Sequence, residues 1–519
     1  MIKWRSFMFK KVLAISLAAV MIFSMIGCGN KGKEEKGTEG ETAIQEAASK
    51  KDDGSREPVE IEILMTSYGT NLKSQENFVT EKILEDINVK VKLSTYANTD
   101  DTKTNLNLRL VGGTAPDIFQ VTTADLADLV KQGYLLELDE YKEKMPNVQE
   151  IFDEVGAVGQ IDGTQYAVVK RPQIFQDGYW IRKDWLDKLN LPVPTTLEEL
   201  VATVETVMKS DPDGNGMNDT IGITGEKWNA IQPILAVYGG SRPNDLVVNK
   251  EGQVISPLYD PLYKEAIVYI KDLINKGIID SEIMALNNQL YVDKLTQGLP
   301  VVVRDFWVTF NKPEKWGPIA EVNPEAEWVQ LPDLEGPGAT VADVYDPTTV
   351  GALFCVSAQL AENEEKLEAI WKLFDYVSHG DGLRLVSYGL EGEHYTIENN
   401  EIVATDKMAT EADFTWLYQL TGRNEMEYLG VKFPYAKEDI DFAVSRTYLR
   451  SIKSLVIYPE WYQRADAERY MEEEVMKFIF GERPIEEYDD FIATLNSTYR
   501  YDEFVAGVNE HVQGLGVLK

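Results

Sequence analysis

A chain of 519 residues has room for about three domain-sized units, and its 44% apolar content is that of a globular protein. Against 51 Lys and Arg stand 86 Asp and Glu, a formal charge of −35 that repels phosphate backbones and argues against nucleic acid as a partner. Two cysteines, Cys28 and Cys355, and three scattered histidines exclude a disulfide framework and a sequence-local zinc motif.

The first 27 residues read as an address. Lys3, Arg5, Lys10 and Lys11 precede an apolar run, Val12 to Ile26, that is short for a membrane span and ends Met25-Ile26-Gly27-Cys28. This ending resembles the lipobox of bacterial lipoproteins, with Met25 in place of the usual Leu; the resemblance implies lipidation, palmitate included, at Cys28. Cleavage there would remove four cations and carry the mature chain to −39. Residues 28–57 have no aromatic side chain and a single Ile, so they are expected to form a solvated tether between anchor and body.

The body opens with alternation at Val59, Ile61, Ile63 and Met65, a half-buried strand ending near Tyr68. A helix from Asn77 to Asp86 leads to a second alternation, Ile87 to Leu93, which together predict a βαβ unit with a parallel pair. A helix over 102–111, the Gly112-Gly113 turn, a strand near 115–121 and a helix over 125–132 extend an open α/β layer. Further on, Thr196 and Glu199 form a capping box before the stripe Leu197, Leu200, Val201, Val204, Val207 and Met208. Leu367, Ile370, Trp371, Phe374 and Val377 mark another amphipathic helix with Trp371 in the core, and the chain is helix-rich from about Thr410.

The segment Asp211-Pro-Asp-Gly-Asn-Gly-Met-Asn-Asp219 places oxygen donors from Asp211, Asp213, Asn215 and Asp219 at positions 1, 3, 5 and 9 of a calcium loop. Gly216 supplies the turn at position 6 and Met217 a backbone carbonyl at position 7. Position 12 is Gly222, so the terminal Glu of an EF-hand is missing, and Thr220 stands where related loops carry an acidic residue. A metal-free turn held by Asx hydrogen bonds is the alternative.

The order and spacing of the lipobox, GGTAPDIFQV, GYLLELDEY, DGTQYAVV, YWIRKDWLDKLNLPVPTTLEEL and SYGLEGEHYTI resemble the extracellular solute-binding lipoproteins of ABC importers, family 1, of the large oligosaccharide type. The resemblance covers the chain from about Val59. It implies a two-lobed periplasmic-binding-protein-like α/β fold with a ligand cleft between lobes and a helix-rich C-terminal part. It implies a monomer at the outer face of the cell membrane that captures a carbohydrate, hands it to a permease and catalyses nothing. A peptide or other solute is the alternative cargo, and a surface-anchored glycoside hydrolase the more distant alternative, since the two carboxylates it needs cannot be singled out among 86 acidic residues. The lobes are expected to divide the chain as 58–168 (first lobe), 169–332 (second lobe with the calcium loop), 333–390 (first lobe again) and 391–519 (mostly second lobe). Sugar faces call for aromatic platforms and polar partners, which nominates Tyr68, Arg171, Trp228, Arg304, Trp307 and Tyr388 for the cleft. Trp185 is assigned to packing.

Overall fold

Both faces of the first strand are covered from Ile63 onward, where Ile63, Leu64 and Met65 lose all solvent contact. The computed structural model describes residues 57–67, 77–172, 176–307, 309–310, 313–347, 349–350, 352–411, 417–516 and 518. Cys28, the tether and Tyr68 lie outside the described residues.

The first lobe grows from strand β1 (Val59–Thr66), helix α1 (Phe78–Ile87) and strand β2 (Val89–Tyr96), with β1 and β2 parallel from Val59 beside Val89 to Thr66 beside Tyr96. Local chemistry fixes the ends of α1. The Asn77 side chain accepts from the Val79 and Thr80 amides, the Thr80 hydroxyl accepts from the Asn77 amide, and Asn88 closes the helix in the left-handed region. Helix α2 (Thr99–Val111), strand β3 (Ile118–Val121) and helix α3 (Thr123–Lys131) follow, and β3 pairs parallel to β1. Two strands from later in the chain, Leu353–Val356 and Ala167–Val169, complete a five-stranded sheet on the other side of β3. Helices Glu364–Ser378 and Gly380–Tyr388 cover it, with Trp371 1% exposed in the core as its spacing predicts.

The second lobe holds a four-stranded sheet in the order 328–330, 177–182, 300–306, 221–224. Trp185 packs beneath the Arg182 guanidinium, 3.7 Å from its ring centroid, and is packing as expected. Thr196 caps helix Leu197–Lys209 by accepting from the Glu199 amide. The return half of the box is shifted by one residue, since Glu199 accepts from the Thr195 amide at 2.9 Å. A further sheet, in the order 254–255, 246–248, 448–452, 343–345, carries the C-terminal helices Arg464–Phe480, Tyr488–Tyr499 and Tyr501–Leu515.

The return to the first lobe differs from the expected boundary at 333. Residues Asp343–Tyr345 pair parallel with Tyr448–Arg450, and the chain rejoins the first sheet only at Leu353. The physical reason is the Asp343 carboxylate, which is fully buried against Arg304 of the second lobe and holds this stretch there.

Where the chain leaves the first sheet after Val169 and returns to it before Leu353, backbone hydrogen bonds tie the described segments to one another and to the stretch at Thr421. The Lys170 amide donates to the Ala352 carbonyl and the Arg171 amide to the Thr421 carbonyl, each at 3.1 Å. Gly422 is required at this junction: its φ is +79°, and a Cβ there would lie 2.7 Å from the Arg171 Cβ.

Candidate functional site

In open α/β sheets the carboxyl ends of parallel strands face the ligand crevice. In the first lobe these ends carry Thr66 and the Thr122-Thr123 turn into α3. The Thr66 amide donates to the Gln120 side chain at 2.9 Å, and the Thr66 and Thr102 hydroxyls lie 2.9 Å apart. A cavity of about 270 Å³ opens where Thr123 and Ala124 of this lobe meet Asn244, Asp245, Lys453, Tyr458, Arg464 and Glu468 of the other.

The second-lobe wall is an ordered polar surface. Asp245 is 3% exposed, accepts from the Ser241 hydroxyl at 2.6 Å and pairs with Lys453 at 2.8 Å. Arg464 donates to Glu468 at 2.9 Å and lies 4.1 Å over the Tyr458 ring, so the tyrosine is held from one side. Behind it Tyr462 stacks flat on Phe504 at 3.9 Å. Asn244 donates to Glu472, whose carboxyl is raised by burial and by the neighbouring Glu468. Fixed carboxylates, amides and guanidinium groups beside an aromatic ring can satisfy hydroxyls while covering an apolar ring face.

None of the five described residues nominated for the ligand lines this cavity. Arg171, in the first crossing, grips Glu150 of the first lobe at 2.7 Å. Trp228 is 7% exposed in the short helix Lys227–Ile231, next to Asn229, which accepts from Arg242. Trp307 is 2% exposed, its ring centroid 5.1 Å from Phe306 and 6.1 Å from Phe433, and its indole N–H has no acceptor among the described residues. Arg304 donates from Nε to Asp343 at 2.6 Å and lies 3.0 Å from Asp177. Tyr388 is 5% exposed between Tyr395 and Tyr428, and burial raises its hydroxyl pKa. The lining residues that the sequence reading passed over come from 242–245 and 453–468. Their signal is faint: Lys453 follows the end of a strand, and YPEWYQR packs three aromatic residues into a turn.

The Asp211 loop folds inward on its own donors. Asn215 donates through its amide to Asp213 at 2.9 Å and to Asp219 at 3.2 Å, while the Gly216 amide donates to Asp211 Oδ2 at 3.0 Å. Asp211 Oδ1 is buried without a partner among the described residues, a lone acceptor of the kind a cation satisfies. The absent twelfth ligand has a steric cause. A Cβ on Gly222 would stand 2.1 Å from the Ile278 carbonyl oxygen, so no Glu fits there. Among the described residues, no group of three or more His, Cys, Asp and Glu side chains is gathered closely enough to hold a metal by itself, and any site here depends on the Asn215 amide and backbone carbonyls as well.

Comparison with known proteins defines the class. The model of the bacterial extracellular solute-binding proteins matches residues 79–384, more than half of the chain, and the protein belongs to that family. It is 21% identical over 405 residues to the lipoprotein LipO of Bacillus subtilis, covering 77% of this chain and 76% of LipO. It is 28% identical over 240 residues to the fructooligosaccharide ABC transporter substrate-binding protein FusA of Streptococcus pneumoniae, a match spanning 42% of this chain and 44% of FusA. Among solved structures, FusA in complex with kestose superposes with a TM-score of 0.66 at 20% identity, covering 88% of this chain and 99% of that one. The alginate-binding protein AlgQ2 without calcium ion gives 0.64 at 18% identity, over 88% and 98%. At these identities the structural likeness establishes the fold: a two-lobed solute-binding protein of mixed α/β architecture.

Proposed function

We propose that the protein captures a carbohydrate, an oligosaccharide, in the cavity between Thr123 and Tyr458 and delivers it to the permease of an ABC importer. The observation that carries this reading is the cavity wall itself: Asp245 is held by Lys453 and Arg464 by Glu468, beside a tyrosine held in place, where the two lobes meet. The relatives that bind fructooligosaccharide add weight. The protein works as a monomer held at the extracellular face of the membrane by acyl chains on Cys28, whose lipobox-like context supports the anchor.

Calcium fits the second-lobe loop. Asp211, Asp213, Asn215 and Asp219, with the Met217 carbonyl and Thr220, would hold it, and the unpartnered Asp211 Oδ1 is the observation in favour. Bound there, the ion neutralises neighbouring carboxylates and ties helix Leu197–Lys209 to strand Ile221–Thr224; it takes no part in chemistry.

Calorimetric titration against a panel of neutral and acidic oligosaccharides tests the function. Intact ligand bound one to one without product supports capture. Release of shorter sugars would replace it with the hydrolase, and binding of peptides alone would leave a binding protein with a different cargo.

A further inference from the structure

The inner cavity, at about 270 Å³, falls just below the roughly 300–1,000 Å³ of sites for drug-sized ligands, space for about one or two sugar rings. An oligosaccharide must therefore continue out of it. Helix α3 marks the path on the first lobe. Its first turn, Thr123 and Ala124, lines the cavity, and its last residue, Lys131, pairs with Glu460 of the second lobe. Nine residues at 1.5 Å rise make α3 about 13 Å long, a span for an oligomer rather than for one ring.

On the second lobe the chain leaves the cavity along Tyr458, Pro459, Glu460 and Trp461. This turn is fixed by the Tyr462 amide donating to the Pro459 carbonyl at 2.9 Å. Trp461 follows directly on the residue that bridges the lobes and is 39% exposed, against 2% for Trp307 and 7% for Trp228. It is nonetheless braced. The Arg500 guanidinium lies 4.1 Å from its ring centroid and is itself held by Glu503, while the Tyr462 ring meets it edge-on. An exposed indole stiffened from one side is a stacking surface that loses little freedom when a sugar ring lies on the other.

We propose that Trp461 is a chain-length-determining residue: it stacks a sugar ring that protrudes past the Lys131–Glu460 bridge, so that long oligomers are favoured over short ones. This rests on the oligosaccharide reading above. The probes are inulin-type fructo-oligosaccharides and malto-oligosaccharides from dimer to octamer, titrated against the intact protein and its Trp461→Ala and Trp461→Phe variants. Affinity of the unaltered protein should rise with length to a plateau. Trp461→Ala should weaken the longest binders at least tenfold and the shortest by less than twofold, Trp461→Phe should restore most of the loss, and melting temperature should stay within a few degrees. An equal change at every length, no change, or a collapse of the melting temperature in Trp461→Ala would overturn the proposal and leave carbohydrate capture standing. Failure of every oligomer to bind the unaltered protein would overturn both.

Discussion

Replacing Arg304 by Met separates a ligand contact from a structural ion. Arg304 reaches Asp343 at 2.6 Å and Asp177 at 3.0 Å, and the three side chains are 8%, 0% and 33% exposed. Removing the guanidinium strands a fully buried carboxylate, a change that costs about 3–5 kcal/mol when one partner of a buried pair is lost. At about 2 °C per kcal/mol, the lower end for larger domains, the melting temperature should fall by roughly 6–10 °C. The loss should depend on pH. Burial raises the Asp343 carboxyl to about 6 even beside Arg304, so the native state holds the extra proton between 3.8 and about 6, and stability falls as pH rises through that window. Without Arg304 the native pKa climbs further, the window widens upward, and the penalty should be greater at pH 8 than at pH 5. The double variant Arg304→Met with Asp343→Leu should regain most of the stability, because Asp177 alone can be hydrated. Urea unfolding at both pH values with parallel oligosaccharide titration makes the measurement. A loss under 1 kcal/mol with a tenfold fall in affinity would refute the argument and return Arg304 to the ligand.

Chelation should lower the melting temperature if calcium occupies the Asp211 loop, by the equivalent of about 2.7 kcal/mol at a hundred times Kd, and Asp211→Ala should abolish the difference. Identical melting with and without chelator in calcium-supplemented protein would count against the site. Burial brings the Lys170 ammonium down to about 7 from 10.5, so the native state binds fewer protons than the unfolded one across that interval and stability should rise with pH through it. Lys170→Met should flatten this rise and add stability at pH 7; an unchanged profile in urea melts would refute the burial argument. Trp307→Ala should cost about 3–5 kcal/mol of stability and leave the affinity of the folded fraction unchanged; weakened binding at a retained melting temperature would restore Trp307 to the ligand site. Cys28→Ala should shift the protein from the membrane fraction to the medium, and retention on membranes would refute lipid anchoring.

What the sequence made legible is what neighbouring residues decide. The strand alternation from Val59, the caps at Asn77 and Thr196 and the stripe through Trp371 are local patterns, and the helices and strands fall where those patterns place them. The two-lobe architecture came from the order of longer motifs. The cavity was not legible, because Thr123, Asn244 and Lys453 are brought together only by sheets whose strands are hundreds of residues apart in sequence. Trp228 and Trp307 are buried, whereas Trp461, in a short turn with no periodicity to mark it, is 39% exposed. The boundary at 333 came with the resemblance, whereas strand pairing of Asp343–Tyr345 with Tyr448–Arg450 and the buried Arg304–Asp343 pair hold the chain beside the second lobe until it rejoins the first sheet at Leu353.

The contacts at the cleft rim and those beside the linking segments are of two unequal kinds. At the cleft rim Lys131 and Glu460 are 70% and 85% exposed, so their pairing is weakened by solvent and screened by salt. At the crossings the bonds are buried. The Lys170 ammonium donates to Gln419 at 2.6 Å and lies 4.6 Å over Tyr418, and Arg423 is sandwiched against Tyr418 and Tyr428 while pairing with Glu425 at 3.2 Å. Under the proposed capture, the lobes separate at the rim and turn about the segments that link them. A ligand that touches Thr123 on one side and Tyr458 on the other has contacts in the closed form that the open form cannot offer, and that differential contact is what can shift the equilibrium toward closure.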